Sequence, residues 1–200
     1  MKKIGIYSGT FDPVHNGHIA FVLEAIEQNR LDKVYFLPEP RPRRKQGVKA
    51  FEHRTAMVSI AIEPYDKLGM IILEQARFTP ERTLPVLLER FRGAKLCMLM
   101  GDDMLDHFVT WRGVENLMSS LSFVIGLRKY DAKHVEEIAN TLKSASGHRL
   151  KYETFAPTQY KISSSNIKKT IKSKHEFNDI DPNVAEYIIE NKLYISDGAK

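Results

Sequence analysis

Short apolar runs alternate along the chain with segments whose apolar residues recur every three or four positions, a rhythm that predicts parallel strands joined by crossover helices. Strands are expected at Lys3–Tyr7, Lys33–Leu37, Met70–Leu73, Lys95–Met100, Ser122–Leu127 and Leu150–Phe155. Helices are expected at Ile19–Gln28, Glu52–Ile62, Leu84–Arg92, Val114–Ser119 and Ala132–Ser144. Asp181 as N-cap and Pro182 in the first helical position open a last helix that runs to Asn191. The fold class is therefore α/β, an open parallel sheet with helices on both faces and a C-terminal helical segment. No internal repeat or low-complexity tract interrupts it.

At 200 residues, 42% hydrophobic and 28% charged, the chain suits one compact domain, 1–200, because lengths of ~100–200 residues bury most of their apolar surface. Cys97 is the only cysteine; it excludes an intrachain disulfide, reads as a small core residue and fits a cytoplasmic location. Met1-Lys2-Lys3 does not lead into a signal peptide, since Gly5, Ser8, Gly9 and Asp12 cut the apolar run that follows, and no stretch approaches a membrane span. The formal charge of +5 implies acidic ligands, and it is clustered. Arg41, Arg43, Arg44 and Lys45 crowd the proline-rich loop Pro38–Ala50, while Lys161, Lys168, Lys169, Lys172 and Lys174 crowd a second segment. Neither run carries the interleaved aromatics of a single-strand-binding platform, so nucleic acid is not the expected partner.

Gly9-Thr10-Phe11-Asp12-Pro13-Val14-His15-Asn16-Gly17-His18 lies directly between the first strand and the first helix. Such a turn brings unpaired backbone N–H groups and the positive end of a helix dipole to one point, which favours phosphate oxygens. His15 and His18 are three apart, so both can face a ligand lying across the helix start, and Gly17 lets it come close. One cysteine and no third nearby histidine leave too few ligands for zinc. In open α/β sheets ligands sit beyond the carboxyl ends of the strands where strand order reverses. Three more segments should reach that rim: the loop after Leu37, the Gly101-Asp102-Asp103-Met104 turn, where an aspartate can also simply cap the next helix, and the Ser163-Ser164-Ser165 turn.

The decapeptide resembles the HxGH signature of the nucleotidylyltransferases, and within that superfamily the chain is similar, almost end to end, to the nicotinate-nucleotide adenylyltransferase family. The resemblance implies a Rossmann-like fold and an enzyme that transfers the AMP moiety of ATP to nicotinate mononucleotide, giving deamido-NAD and pyrophosphate. It implies direct in-line attack, Mg²⁺ carried by ATP, and no metal held by the protein. By the same match His15, His18 and Lys45 are catalytic. Gly9, Thr10, Phe11 and Gly17 of the first turn bind ATP, as do Gly101 and Asp103, the latter on a ribose hydroxyl. Ile162-Ser163-Ser164-Ser165-Asn166-Ile167-Lys168 resembles the ISSTxIR motif, so Ile162, the three serines and Lys168 would hold the triphosphate, with 161–194 completing the ATP site. Trp111 would stack on the pyridine ring, with Arg44, Thr83 and Arg112 beside it.

The chain departs from the pattern in places. Ser165 stands for threonine, Arg44 for a common histidine, Glu81-Arg82 for a Ser-Tyr pair, and Lys168 for arginine, which keeps the charge and loses the bidentate fork. Transfer to nicotinamide mononucleotide or to phosphopantetheine, and a non-catalytic nucleotide- or RNA-binding module, stay open as alternatives. Against phosphopantetheine stand His15, where threonine is usual, and Trp111. Nothing in the sequence indicates an oligomeric state.

Overall fold

The computed structural model describes residues 1–42, 45–73, 78–159 and 161–195. Six strands, β1 (Lys3–Gly9), β2 (Lys33–Pro38), β3 (Leu68–Met70), β4 (Lys95–Gly101), β5 (Ser122–Gly126) and β6 (Tyr152–Phe155), form one sheet in the order β3-β2-β1-β4-β5-β6. Every pairing is parallel. The helices are α1 (Asn16–Gln28), α2 (Phe51–Ile62), α3 (Pro80–Arg90), α4 (Leu105–Phe108), α5 (Val114–Ser120), α6 (Ala132–Ser146), α7 (Ser164–Lys174) and α8 (Pro182–Glu190), with a 3₁₀ turn at Asp102–Met104.

Alternation along each strand divides the core in two, because successive side chains leave a strand on opposite faces. Val34, Phe36, Cys97, Leu99 and Val124 pack under α1, α2, α7 and α8, whereas Ile4, Ile6, Leu96, Met98, Phe123 and Ile125 pack against α3, α5 and α6. Both faces are thus covered, as an all-parallel sheet requires. Cys97 is fully buried, its thiol pushed up to about 12 by that burial. Among the described residues no helix is long and apolar enough to cross a membrane.

Two expected elements shift. The third strand forms at Leu68–Met70, where it pairs with Val34–Phe36, and the ladder ends as Ile71 N–H donates to Phe36 O, so the apolar run at Met70–Leu73 marks where the chain leaves the sheet. The third helix starts at Pro80 instead of Leu84, since Thr79 in extended conformation and Pro80 at the first helical position make a ready start. Asp181 caps α8 as expected, accepting from the Asn183 and Val184 amides.

Strand order reverses between β1 and β4, whose carboxyl ends are Gly9 and Gly101. The rim between them is where such sheets take their ligands.

Candidate active site

β1 delivers the chain into the turn at Gly9. A Cβ there would come within 2.8 Å of the Phe11 ring, so glycine is what lets Phe11 fold back over the strand end. Phe11 is buried with φ 50° and packs edge-on to His18 at 5.2 Å. His15 is the N-cap of α1 in extended conformation, and the imidazoles of His15 and His18 stack with centroids 3.6 Å apart.

The pair is held neutral. Burial pushes His15 down to about 3, with the Arg128 guanidinium adding to the effect. Burial, then the neighbouring His15, whose protonation would compete with its own, and the charges of Arg128 and Lys45, hold His18 well below the ordinary histidine range. His18 Nδ1 accepts from the His15 backbone N–H at 3.2 Å, so its proton sits on Nε2, which makes Nε2 a donor. His15 Nδ1 is buried and has no hydrogen-bond partner of normal geometry among the described residues.

α7 is set against this turn by Ile167 and Ile171, which bury into the core beside α1. Ser163 caps the helix by accepting from Asn166 N–H at 3.3 Å, and the Ser164 hydroxyl donates to Pro13 O at 3.0 Å. Ser165 is exposed. Ile162 approaches Gly17 so closely that a Cβ on Gly17 would lie 3.0 Å from Ile162 Cβ and 3.2 Å from Gln159 O. Glu24 of α1 accepts from both the Thr158 amide, at 2.9 Å, and the Thr158 hydroxyl. A hollow of about 10 Å³, room for one water, is all that remains between Tyr7, the two histidines, Arg128, Pro157, Gln159 and Ile162.

Two buried charges staple the turn to its surroundings. The Arg54 guanidinium donates to Thr10 O at 2.7 Å, Lys49 O at 3.0 Å and Pro40 O at 3.0 Å. Asp12 accepts from Lys168 Nζ at 2.7 Å, from the Tyr194 hydroxyl at 2.6 Å and from Lys49 N–H at 3.2 Å. Lys45 stands near enough to Lys168 for repulsion, after burial, to lower its ammonium below the ordinary lysine value. Arg44 lies outside the described residues.

Across the rim the two aspartates of the acidic turn divide their work. Asp102 is fully buried and takes the N–H groups of Arg128 at 2.9 Å, Lys129 at 2.9 Å and Tyr130 at 2.6 Å. Asp103 is exposed, with its carboxylate folded against Gly101; burial raises the Tyr7 phenol, and the Asp103 charge adds a smaller push in the same direction. Arg128, pinned by Asp102, passes Gly101 toward the histidines; sequence reasoning missed it. The available signal was its position in the loop leaving β5, at the same sheet edge.

Glu39 links this centre to a second cleft, since its N–H donates to Gly9 O at 3.0 Å and its carboxylate accepts from Phe78 N–H at 3.3 Å. The cleft, about 440 Å³, is lined by Phe78, Thr79, Pro80, Glu81, Arg82, Trp111 and Arg112. Trp111 is half-buried against Phe108, and Arg112 pairs with Glu81 at 3.5 Å while fully exposed otherwise. Thr83 stands apart from it. Its amide donates to Thr79 O and its hydroxyl accepts from Thr79 N–H, so it locks the first turn of α3 and faces the smaller hollow beside Pro38.

The sequence pattern of the cytidylyltransferase-like family matches residues 6–170, which span the histidine turn, the acidic turn and the triple serine. The chain belongs to that family. It is 32% identical over 203 residues to the nicotinate-nucleotide adenylyltransferase of Bacillus subtilis, covering 98% of this chain and 100% of that one. It is 31% identical to a probable nicotinate-nucleotide adenylyltransferase of Neisseria meningitidis over 97% and 99% of the two chains. The fold matches that of Plasmodium falciparum nicotinic acid mononucleotide adenylyltransferase complexed with NaAD, with a TM-score of 0.80 at 22% identity over 97% of this chain and 98% of that one.

Proposed function

We propose that the chain transfers the adenylyl unit of ATP to nicotinate mononucleotide, releasing pyrophosphate and forming deamido-NAD. The observation that carries this reading is the neutral, stacked imidazole pair at the start of α1, with Nε2–H of His18 as a fixed donor and the serine-capped start of α7 beside it. The full-length similarity to nicotinate-nucleotide adenylyltransferases supplies the acceptor.

A phosphate monoester is already an anionic nucleophile, so the site needs no general base, and its work is positioning and charge stabilisation. An oxygen of the nicotinate mononucleotide phosphate bonds to the α-phosphorus as the bond to the bridging oxygen breaks, and that electron pair leaves with pyrophosphate. His18 donates to the α-phosphate as charge moves onto the leaving group, and His15 supports the phosphates beside it. Lys45, Lys168 and Arg128 offset the charge of two phosphorylated substrates. Gly9, Thr10, Phe11 and Gly17 line the nucleotide, the Ser163–Ser165 turn receives the triphosphate tail, and 161–194 completes this half of the site.

On the other half Asp103 beside Gly101 takes a ribose hydroxyl, and Trp111 stacks on the pyridine within the 440 Å³ cleft. Arg112 and Arg44 answer the acceptor's charge, and Thr83 fixes the helix start behind it. Among the described residues no group of three or more His, Cys, Asp or Glu side chains could hold a metal. In this reading magnesium enters with the ATP substrate, where it would offset the charge of the leaving pyrophosphate. A cytoplasmic place in pyridine-nucleotide synthesis goes with this reading, with neither nucleic acid nor membrane as partner.

Pyrophosphate release from ATP, measured separately with nicotinate mononucleotide, nicotinamide mononucleotide and phosphopantetheine, is the test. Turnover is expected with the first. Turnover only with either of the others replaces the acceptor, and none with any of them, together with salt-sensitive RNA binding, replaces the enzyme by a binding module.

A further inference from the structure

Asp12 is a buried carboxylate, 3% exposed, that the reaction above leaves without a task. Its two oxygens are engaged differently. Oδ1 accepts from the Tyr194 hydroxyl at 2.6 Å and from Lys49 N–H at 3.2 Å, which fixes the plane of the carboxylate. Oδ2 is left to the ammonium of Lys168, at 2.7 Å. Tyr194 is itself buried, with its ring under the Lys49 ammonium, and burial together with the bond to Asp12 raises its phenol, so it is a lasting donor.

Lysine at 168 lacks the rigid fork of a guanidinium and carries its charge on a flexible four-carbon stem. With the side chain one-third exposed, a free ammonium would spread over many rotamers and lose that freedom on meeting a ligand. An ammonium has three protons; one directed to Oδ2 leaves two for phosphate oxygens.

We propose that Asp12, clamped by Tyr194, is a positioning residue that presents Lys168 to the ATP polyphosphate. The carboxylate supplies by contact the orientation that arginine would carry in its own geometry. The inference rests on the reading that ATP phosphates lie between α1 and α7, and it makes Tyr194, 182 positions away from Asp12, part of what determines ATP affinity.

Calorimetric titration with ATP tests it on Tyr194→Phe, which removes the hydroxyl and keeps the ring. ATP binding weakens about tenfold, the size of one hydrogen bond to a charged group, while KM for nicotinate mononucleotide and kcat stay within about twofold. The loss depends on Lys168: Tyr194→Phe/Lys168→Met binds ATP no more weakly than Lys168→Met alone. Unchanged ATP affinity in Tyr194→Phe, or losses that multiply in the double variant, overturns the proposal. Should Tyr194→Phe fail to fold, Asp12→Asn is decisive in its place. It removes the charge facing Lys168, so an ATP affinity equal to that of the unaltered protein overturns the proposal and an about tenfold loss that is absent in the Lys168→Met background supports it. ATP binding without pyrophosphate release from any acceptor would defeat the adenylyltransferase reading and leave this inference standing; no ATP binding at all defeats both.

Discussion

Replacing Arg54 by methionine takes three hydrogen bonds from the loop over the histidine turn while keeping most of the buried stem. The guanidinium, 1% exposed, holds the carbonyls of Thr10, Lys49 and Pro40 at 2.7, 3.0 and 3.0 Å. The bond to Thr10 is fully buried, so that carbonyl loses its partner outright at ~1–3 kcal/mol. The other two are partly reachable by water and lose ~0.5–1 kcal/mol each. The variant should therefore unfold with about 3 kcal/mol less free energy, leaving it folded if the protein has the ~5–15 kcal/mol common to domains. Urea titration followed by far-ultraviolet circular dichroism measures the change, provided the denaturant slope is constant. Arg54→Lys should recover less than half, because one ammonium cannot reach three carbonyls that lie in different directions. A loss under ~1 kcal/mol for Arg54→Met would mean that water or other donors replace the guanidinium, and the stapling argument would be wrong.

Three further outcomes follow from the site. His18→Ala should lower kcat by ~10²–10³, the usual cost of a lost donor to developing charge, and a near-normal kcat would remove His18 from the chemistry. Trp111→Ala should raise KM for the pyridine nucleotide about tenfold with KM for ATP unchanged, since the lost contact is stacking within one cleft; equal increases for both substrates would count against that placement. His15 has the ordinary value 6.5 when unfolded and about 3 when folded, so between these values only the unfolded chain takes up the proton. Stability from this group is whole above pH 6.5 and falls with pH by ~1.4 kcal/mol per unit down to about 3. His15→Asn should make the fall of the urea midpoint between about pH 6.5 and 4.5 shallower, leaving the part that His18 contributes with the same sign, and coincident profiles for the two proteins would refute the assignment.

The parts of the molecule legible in the sequence are those whose cause is local. β1, β2, β4 and β5 are buried on both faces, so their apolar runs end within two residues of the paired ladder. The histidine turn is legible for the same reason, because strand, turn and helix start are contiguous. β3 is an edge strand of three residues with Gly69 at its centre, too little apolar pattern to mark its register. The role of Asp102 depends on amides 26 to 28 positions ahead, which arrive only when β5 lies beside β4. The sequence puts Arg128 just after β5, but its approach to the histidines depends on that pairing, and the contact between Glu24 and Thr158 likewise joins residues 134 positions apart. Arg54 lies in the first turn of α2, and nothing near it in sequence announces that its fork spans carbonyls at 10, 40 and 49.

β1 lies at the centre of the sheet, bonded to β2 on one side and β4 on the other, and its side chains feed both hydrophobic layers in turn. Deleting one residue between Ile4 and Gly9 would turn the side chains on one side of the deletion to the opposite layer, and if the strand start kept its register it would swing the imidazoles away from α7. The interval from Ile4 to His18 therefore behaves as a mechanical dimension, a ruler set by the sheet. The height of the reacting groups above the sheet is thus fixed by the strand at its centre.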